Sequence, residues 1–147
     1  MPKTKKPSTT QLLPKLFSIN RSMRALMGLK LAEIGLYQGH DELLVALSAN
    51  TGTTVSSLAD ILQIRPSTIS KTVDHLVARG LVERTRDPDD ARLTVICITP
   101  SGTEMQRRIK EVWQAVEGDF QQMHDWNRVE GDLRLVEEIL RKWRSSS

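Results

Sequence analysis

The stretch that decides the fold is SSLADILQIRPSTISKTVDHLVARGLVER, residues 56–84. Apolar side chains recur at helical spacing on both sides of a break at residues 63–66. Pro66 suits the first position of a helix and Gly80 suits a helix end, while small Ala59 allows close approach of a neighbouring helix. The stretch therefore predicts two short helices joined by a tight turn. The inward positions are Leu58, Leu62, Ile64, Ile69, Val73, Leu76 and Val77.

Two segments rich in β-forming residues follow this pair of helices. Residues 81–86 and 92–99 flank DPDDA (residues 87–91), which is a turn-forming sequence, so we expect a β-hairpin with a charged tip. Thr99 and Pro100 then predict the start of a new helix, with Thr99 as its N-cap. Two helices joined by a tight turn and followed by a hairpin are the layout of a winged helix-turn-helix. The predicted fold class is mostly α with a small β-hairpin wing.

Long amphipathic helices are predicted on both sides of this segment. The first apolar stripe starts near Leu12. A short helix follows at roughly 40–49, and a brief extended piece comes after it at residues 53–55. Two further stripes cover residues 105–123 and 129–143, and Asn127 with Glu130 resembles a capping box. The predicted organisation has three parts. These are a flexible basic arm at 1–10, a helical region at 11–36 and 100–145, and a winged helix-turn-helix at 37–99.

The outward face of the second helix carries groups suited to DNA. With Ile69, Val73 and Leu76 inward at ~100° per residue, four polar residues turn outward, namely Ser67, Thr68, Lys71 and His75. Their hydroxyls and the Lys71 amine can bond base edges or phosphates. Arg86 and Arg92 on the hairpin are placed to reach phosphates or an adjacent minor groove. A winged-helix protein-interaction module and a small-molecule-binding scaffold are the alternatives to DNA binding.

The charge distribution agrees with a nucleic-acid partner. The 147 residues carry a net charge of +3; residues 1–30 hold seven basic and no acidic side chains, and residues 31–64 hold acidic but no Lys or Arg side chains. Such segregation is typical of nucleic-acid binders, although solvated tails also show it.

Several classes of protein are not expected from this sequence. No apolar run approaches the ~18 residues of a membrane span, and the N-terminus lacks the apolar segment of a secretory signal. Cys97, the single cysteine, is predicted to be a packed thiol in a reducing cytoplasm. Metal-ligand spacing and catalytic motifs are lacking, so we expect no metal, no cofactor and no enzymatic activity. The histidines, too far apart for a metal site, are His40, His75 and His124.

Two motifs together resemble the MarR family (multiple-antibiotic-resistance regulators) of bacterial transcription factors. The segment STISKTVDHLVARGLVER resembles the family's Ser-Thr-x-Ser…Leu-x-x-x-Gly-Leu-Val pattern. The segment DPDDARLTVICITPSG resembles its wing pattern, Asp-Pro-x-Asp-x-Arg…Leu-Thr-x-x-Gly, with Ile98 in place of leucine. The resemblance implies that the helix from Pro66 reads the major groove, that Asp90 orients the wing and that Arg92 is its minor-groove finger. Two positions depart from the family pattern: Ala91 stands in place of a second arginine and Arg65 in place of a capping side chain.

The same resemblance implies the partners. It implies a cytoplasmic, nucleoid-associated homodimer that pairs through its first and last helices and represses from a pseudo-palindromic operator in double-stranded DNA. It further implies a small aromatic or anionic effector that changes the spacing of the two DNA-binding lobes. Its pocket is expected near Met23, Met27 and Trp113. No membrane partner is implied.

Overall fold

The structure is a computed structural model that describes residues 12–122 and 125–145 of the chain. The predicted basic arm at 1–10 and His124 lie outside the described residues, as do the side chains of residues 126 and 143–145. The described chain divides into two compact units, one ending at Ile109 and the other beginning at Lys110.

Six helices and one two-stranded antiparallel sheet make up the described residues, which confirms the predicted fold class. In chain order they are α1 (Leu12–Glu33), α2 (His40–Ala46), α3 (Val55–Leu62), α4 (Pro66–Ala78), β1 (Val82–Arg86), β2 (Thr94–Ile98), α5 (Pro100–Gln121) and α6 (Trp126–Ser145).

The tight turn between α3 and α4 is built from local backbone signals. Gln63 adopts a left-handed conformation (φ 54°) that ends α3, and the N–H of Ile64 donates to the carbonyl of Ala59 at 3.0 Å. Pro66 is the first residue of α4, as expected, because its fixed φ fits there and its missing N–H is not needed. The turn thus sets α4 directly after α3.

The end of α4 leads straight into the hairpin. Gly80 has φ 68°, a conformation that favours glycine, and the N–H of Leu81 donates to the carbonyl of Leu76 at 3.0 Å. The strands pair from Val82 opposite Ile98 to Arg86 opposite Thr94.

A short extended piece before α3 joins the edge of this sheet. Thr53 and Ile96 exchange both backbone hydrogen bonds, at 3.0 and 2.8 Å. The residue before this bridge, Gly52, has no room for a side chain, because a Cβ there would lie 2.5 Å from the Cγ2 of Val95. The extended piece expected at residues 53–55 is therefore confirmed at Thr53, whereas Val55 already belongs to α3.

The core of the first unit lies beneath α4. Its largest fully buried side chains come from every element between α1 and the first turns of α5, and they are Leu31, Leu36, Leu43, Leu44, Leu58, Ile69, Leu76, Ile96, Ile109, Val73 and Val82. Val77, predicted to point inward, is 36% exposed, because it lies one 100° step beyond Leu76 at the margin of the buried face.

Two predicted helix boundaries differ from the structure. The second helix ends at Ala46 rather than near 49, since Leu47 is extended (ψ 135°). The last helix begins at Trp126, so Asn127 lies inside it and the predicted capping box is wrong. The carbonyl of Asp125 (φ 73°) accepts from the N–H groups of Arg128 and Val129 at 3.1 and 3.3 Å. The helix therefore starts two residues before the sequence signal.

Candidate nucleic-acid interface

The predicted DNA-facing side of α4 is exposed to solvent. The core-facing side chains Ile69, Val73 and Leu76 are at most 1% exposed, which fixes the rotation of the helix. The four predicted contact residues are therefore turned outward, and all are exposed: Ser67, Thr68, Lys71 and His75. The orientation inferred from the sequence is correct, and the role of each side chain stays a prediction.

The N-terminal end of α4 is electrostatically suited to phosphate. Arg65 precedes it with an extended backbone, and no described side chain caps this end. The carbonyl of Arg65 accepts the first helical bonds, from Thr68 at 2.9 Å and Ile69 at 3.1 Å. The first turn holds no acidic residue, so the positive end of the helix dipole is not neutralised there.

The wing turn is organised by two carboxylates. Oδ1 of Asp87 accepts from the N–H groups of Asp89 and Asp90, at 2.8 and 3.0 Å. Oδ1 of Asp90 in turn accepts from the N–H of Arg92 at 3.0 Å. These bonds fix the backbone at the base of the Arg92 side chain, which is the geometry that an orienting role for Asp90 requires.

Arg86 contributes to the same turn. Its Nη1 donates to the carbonyl of Ala91 at 3.1 Å, across the tip of the hairpin. The sequence predicts that this guanidinium reaches phosphates or an adjacent minor groove, but no pattern in it indicates the intramolecular bond. Arg86 and Arg92 are both exposed, so the wing presents two guanidinium groups to solvent.

An ion pair joins the wing to α4. Nη2 of Arg84, on β1, lies 2.6 Å from Oδ1 of Asp74, on α4. Sequence reasoning missed this pair because nothing in the local pattern marks two residues on different elements as neighbours. The pair links the two parts of the candidate interface, and its exposed position limits its strength to ~0.2–1 kcal/mol.

His75 packs against a buried histidine of α2. The ring centroids of His40 and His75 lie 6.0 Å apart, and the ring of Tyr37 lies 5.5 Å from that of His40. His40 is 4% exposed and its Nδ1 has no hydrogen-bond partner among the described residues. Burial, then His75 and Arg79, lower the pKa of His40, and Asp41 opposes them. His40 is consequently neutral near pH 7.

The first unit also contains a cavity of about 450 Å³ beside α4. Of the three residues that the resemblance placed near an effector pocket, Met23 and Met27 line this cavity and Trp113 does not. The walls come from α1, the start of α2, Ile64 and the first half of α4, and the lining residues are Asn20, Met23, Arg24, Met27, Leu31, Gln38, Gly39, Asp41, Glu42, Leu43, Ile64, Thr68, Ile69 and Thr72.

The part of the chain that the structure describes shows neither a metal site nor a helix that could span a membrane. No three His, Cys, Asp or Glu side chains there lie close enough to hold a metal ion. None of the described helices combines the length and apolar character needed to cross a membrane. Cys97 is half-buried on β2, with its Sγ 3.4 Å from Oγ1 of Thr85.

Two helices at a tight turn, an exposed polar face on the second and a braced two-stranded wing define a winged helix-turn-helix protein. Residues 42–93 match the model of the MarR family. The structure is similar to that of CouR from Rhodococcus jostii RHA1 bound to p-coumaroyl-CoA, with a TM-score of 0.74, 25% identity and coverage of 91% of this chain and 95% of CouR. It is also similar to a MarR transcriptional regulator from Methanosarcina mazei Go1, with a TM-score of 0.76, 25% identity and coverage of 90% and 98%.

A candidate transcriptional regulatory protein for the hcr operon of Thauera aromatica is 30% identical over 86 residues. That match covers 58% of this chain and 52% of the Thauera protein, so the chain spans about half the length of this relative. The resemblance to the MarR family is confirmed over the winged helix-turn-helix segment, residues 42–93. The segment matched by the family model, residues 42–93, contains every predicted DNA-contacting residue, from Ser67 to Arg92.

Proposed function

We propose that the protein is a transcriptional regulator that binds double-stranded DNA with α4 and the wing. The observation that carries this proposal is the exposed polar face of α4, which is held outward by a fully buried opposite face. In winged-helix proteins such a helix enters the major groove with its N-terminal residues against base edges. The wing arginines Arg86 and Arg92 extend the contact to phosphates or the minor groove.

Exposed apolar faces support a homodimer as the binding form. Six large apolar side chains of α1 are 38–70% exposed, and four of α6 are 48–57% exposed. Apolar surface of this extent marks an interaction surface, and a second copy of the chain would cover it. The exposed residues are Leu12, Leu13, Phe17, Ile19, Leu26, Leu29, Leu133, Leu135, Ile139 and Leu140. In this proposal residues 11–36 and 100–145 form the dimer, residues 37–99 bind a pseudo-palindromic operator and residues 1–10 are a basic arm.

The cavity supports regulation by a small molecule. Its volume falls within the ~300–1,000 Å³ of ligand sites, and the similar protein CouR binds p-coumaroyl-CoA. We infer a cytoplasmic repressor whose DNA binding responds to a ligand in this cavity.

A salt titration tests the DNA-binding proposal. The association constant K is measured on a fragment from the protein's own promoter at several salt concentrations. Arg92→Ala should make the slope of log K against log[salt] shallower by ~0.9 per lobe, ~1.8 per dimer, because binding releases fewer counterions when a phosphate contact is lost. Lys71→Ala should cost ~1–3 kcal/mol if Lys71 bonds a base. Arg107→Ala is the matched control, since Arg107 is exposed on α5 and paired with Glu104 at 2.7 Å. Equal slopes for Arg92→Ala and wild type would remove the wing from the mechanism, and no wild-type binding to any selected DNA would refute the function.

Sedimentation velocity tests the homodimer. The wild type should sediment as a dimer at micromolar concentration, and the double substitution Leu133→Glu/Leu140→Glu should give monomers or insoluble chain because it buries charge in the proposed interface. Ile61→Glu is the control, since Ile61 is 61% exposed on α3, outside the proposed interface. A soluble, stable wild-type monomer contradicts the dimer.

A further inference from the structure

We propose that Gln38 and Arg79 are positioning residues that fix the orientation of α4 relative to α1 and thereby the spacing of operator half-sites that the protein accepts. Both act through the connection between α1 and α2, residues 34–39, which we call the junction. The part of the inference that concerns the operator rests on the proposed function. The part that concerns α1 and α4 follows from contacts within one subunit and needs neither DNA nor a ligand.

The junction is bonded to the side of α1 by the amide of Gln38. Its Nε2 donates to the carbonyl of Arg24, which lies in the middle of α1. Gly28 lies one turn further along the same face, and a Cβ there would press against Nε2 of Gln38 at 3.0 Å. The glycine therefore leaves the space that the Gln38 amide occupies beside α1.

The junction is bonded to the end of α4 by Arg79. Nη1 of Arg79 donates to the carbonyl of Gly35, which has a left-handed backbone (φ 77°) just past the end of α1. The next N–H, that of Leu36, donates back to the carbonyl of Leu31 at 2.8 Å, so Gly35 belongs to the turn that ends α1. The guanidinium thus lies at the C-terminal end of α1, where the helix dipole favours a positive charge.

A second contact on the same face of α4 accompanies the Arg79 bond. His75 lies one turn before Arg79, and its ring lies against that of His40, with the ring centroids 6.0 Å apart. His40 directly follows the junction and is 4% exposed, so it is anchored in the core. The C-terminal half of α4 therefore contacts the junction and the residue after it over a whole turn, which resists both tilting and rotation of the helix.

The angle between α1 and α4 determines how far apart a dimer holds its two recognition helices. In the proposed dimer α1 packs against the partner and α4 enters the major groove, so this angle in each subunit sets the separation of the two α4 helices. A tilt of ~10° about the junction moves a point ~13 Å away along α1 by ~2 Å. The same tilt in both subunits gives ~4 Å, which exceeds the ~3.4 Å between neighbouring base pairs. Loss of either bond therefore allows the dimer to accept half-sites that are one base pair too close or too far apart.

The first experiment measures the distance between α1 and α4 in the full chain without DNA. Nitroxide labels are attached at Lys15→Cys and Ser67→Cys in a Cys97→Ser background, and the distribution of the distance between them is recorded by electron paramagnetic resonance. Both labelled positions are exposed. Dilution with unlabelled chain leaves only distances within one subunit. We expect a narrow distribution for the labelled chain without further substitution, because the two bonds hold the angle.

Substitutions at the two ends of the junction should broaden this distribution by ~2 Å or more. Gln38→Met and Arg79→Met keep the length of the side chain and remove its donors. Arg79→Lys keeps the charge at the end of α1 and should restore most of the narrow distribution. Because the two bonds act in series, the double variant should be no broader than either single variant.

Arg84→Met is the matched control for these variants. Arg84 pairs with Asp74 of α4 from β1 rather than from the junction, so its replacement should leave the distribution narrow. A distribution that is broad without any of these substitutions, that stays narrow in either Met variant of the junction, or that broadens equally in Arg84→Met overturns the inference.

The second experiment tests the effect on the operator. DNA is selected from a random pool with the wild type, and one base pair is then inserted or removed at the centre of the selected pseudo-palindrome. We expect the wild type and Arg84→Met to lose affinity ~10-fold or more at each altered spacing, the effect of one lost base contact. Gln38→Met and Arg79→Met should lose ~3-fold or less. Their affinity for a duplex with a single half-site should stay at the wild-type value, since neither residue contacts a base in this arrangement.

The outcomes separate this inference from the proposed function. Equal spacing dependence in wild type, Gln38→Met and Arg79→Met overturns the positioning role, and so does a uniform loss of affinity at every spacing and on the single half-site. Failure of the wild type to select any DNA refutes the proposed function instead, and the label distances then still decide whether the junction fixes α4 relative to α1.

Discussion

Gln106 holds the end of α2, and replacing it should cost stability that can be worked out from its bonds. Its Nε2 donates to the carbonyl of Leu44 at 2.5 Å and to that of Leu47 at 2.9 Å. α2 has seven residues and no basic side chain in its last turn. The carbonyl of Leu44, in the last turn of α2, also accepts from the N–H of Leu47 at 3.3 Å, and Leu47 directly follows the helix. Gln106 of α5 therefore adds a donor to each of two carbonyls at the end of α2, where intrahelical donors run out.

The substitution Gln106→Met keeps the length of the side chain and removes both donors. With ~0.5–1.5 kcal/mol for each hydrogen bond, the free energy of unfolding should fall by about 1–3 kcal/mol. For a chain of this size each kcal/mol lowers the melting temperature by ~3–5 °C. Gln114→Met is the matched control: Gln114 is exposed on the same helix, and its replacement should change stability by less than ~0.5 kcal/mol.

Gln106→Glu adds a test by pH. Its carboxylate cannot donate and would lie against two carbonyl oxygens, so the folded state should raise the pKa of the introduced group. The penalty is then absent below the unfolded pKa of ~4.3 and grows as the pH rises above it. Urea unfolding followed by circular dichroism at pH 4 and pH 7 measures this. Equal stability of Gln106→Met and Gln114→Met, or a Gln106→Glu penalty that does not change with pH, would refute the reasoning.

Two further predictions concern the buried histidine of α2 and two glycines of α5. The lowered pKa of His40 means that the folded state resists protonation, so its stabilising contribution should be full above the unfolded pKa of ~6.5 and fall as the pH drops below it. His40→Phe should therefore make the free energy of unfolding, measured with urea, depend less on pH between 5.5 and 7.5. An unchanged pH profile would contradict the assignment. Gly102→Ala should lower the free energy of unfolding by more than ~2 kcal/mol, because its Cβ would lie 2.0 Å from the carbonyl oxygen of Leu81. Gly118→Ala has open space around it and should raise the free energy of unfolding by up to ~1 kcal/mol. Thermal melts measure both variants, and a neutral Gly102→Ala would disprove the close contact.

The elements that the sequence predicts correctly are those with local causes. Pro66 starts α4 and Gly80 ends it because each has a backbone preference that acts within one turn. Thr99 caps α5 as expected: its Oγ1 accepts from the N–H of Gly102 at 3.1 Å. It also donates to the carbonyl of Gly80 at 2.6 Å, which no local pattern indicates. The outward face of α4 follows from helical periodicity alone.

The parts that the sequence does not predict depend on contacts between distant elements. The pair of Arg84 with Asp74 and the edge-to-face contact of the His40 and His75 rings require the packed arrangement of α2, α4 and the hairpin. The wrong start of the last helix has another cause. Asn127 is a good capping residue, but the helix already begins at Trp126, directly after Asp125 with its left-handed backbone (φ 73°). A local preference of ~1 kcal/mol is easily overruled in this way.

The two halves of α4 are held differently, and this difference bears on regulation. The second half is fixed on three sides, by the buried Val73 and Leu76, by the Asp74 pair with β1, and by the His40 ring against His75. The first half packs through Ile69 but borders the cavity at Thr68. In helix-turn-helix proteins the N-terminal half of this helix makes the base contacts. The half that borders the cavity is thus the half that the proposed function uses, and the residues that fix the second half, Val73, Asp74, His75 and Leu76, are not among those that line the cavity.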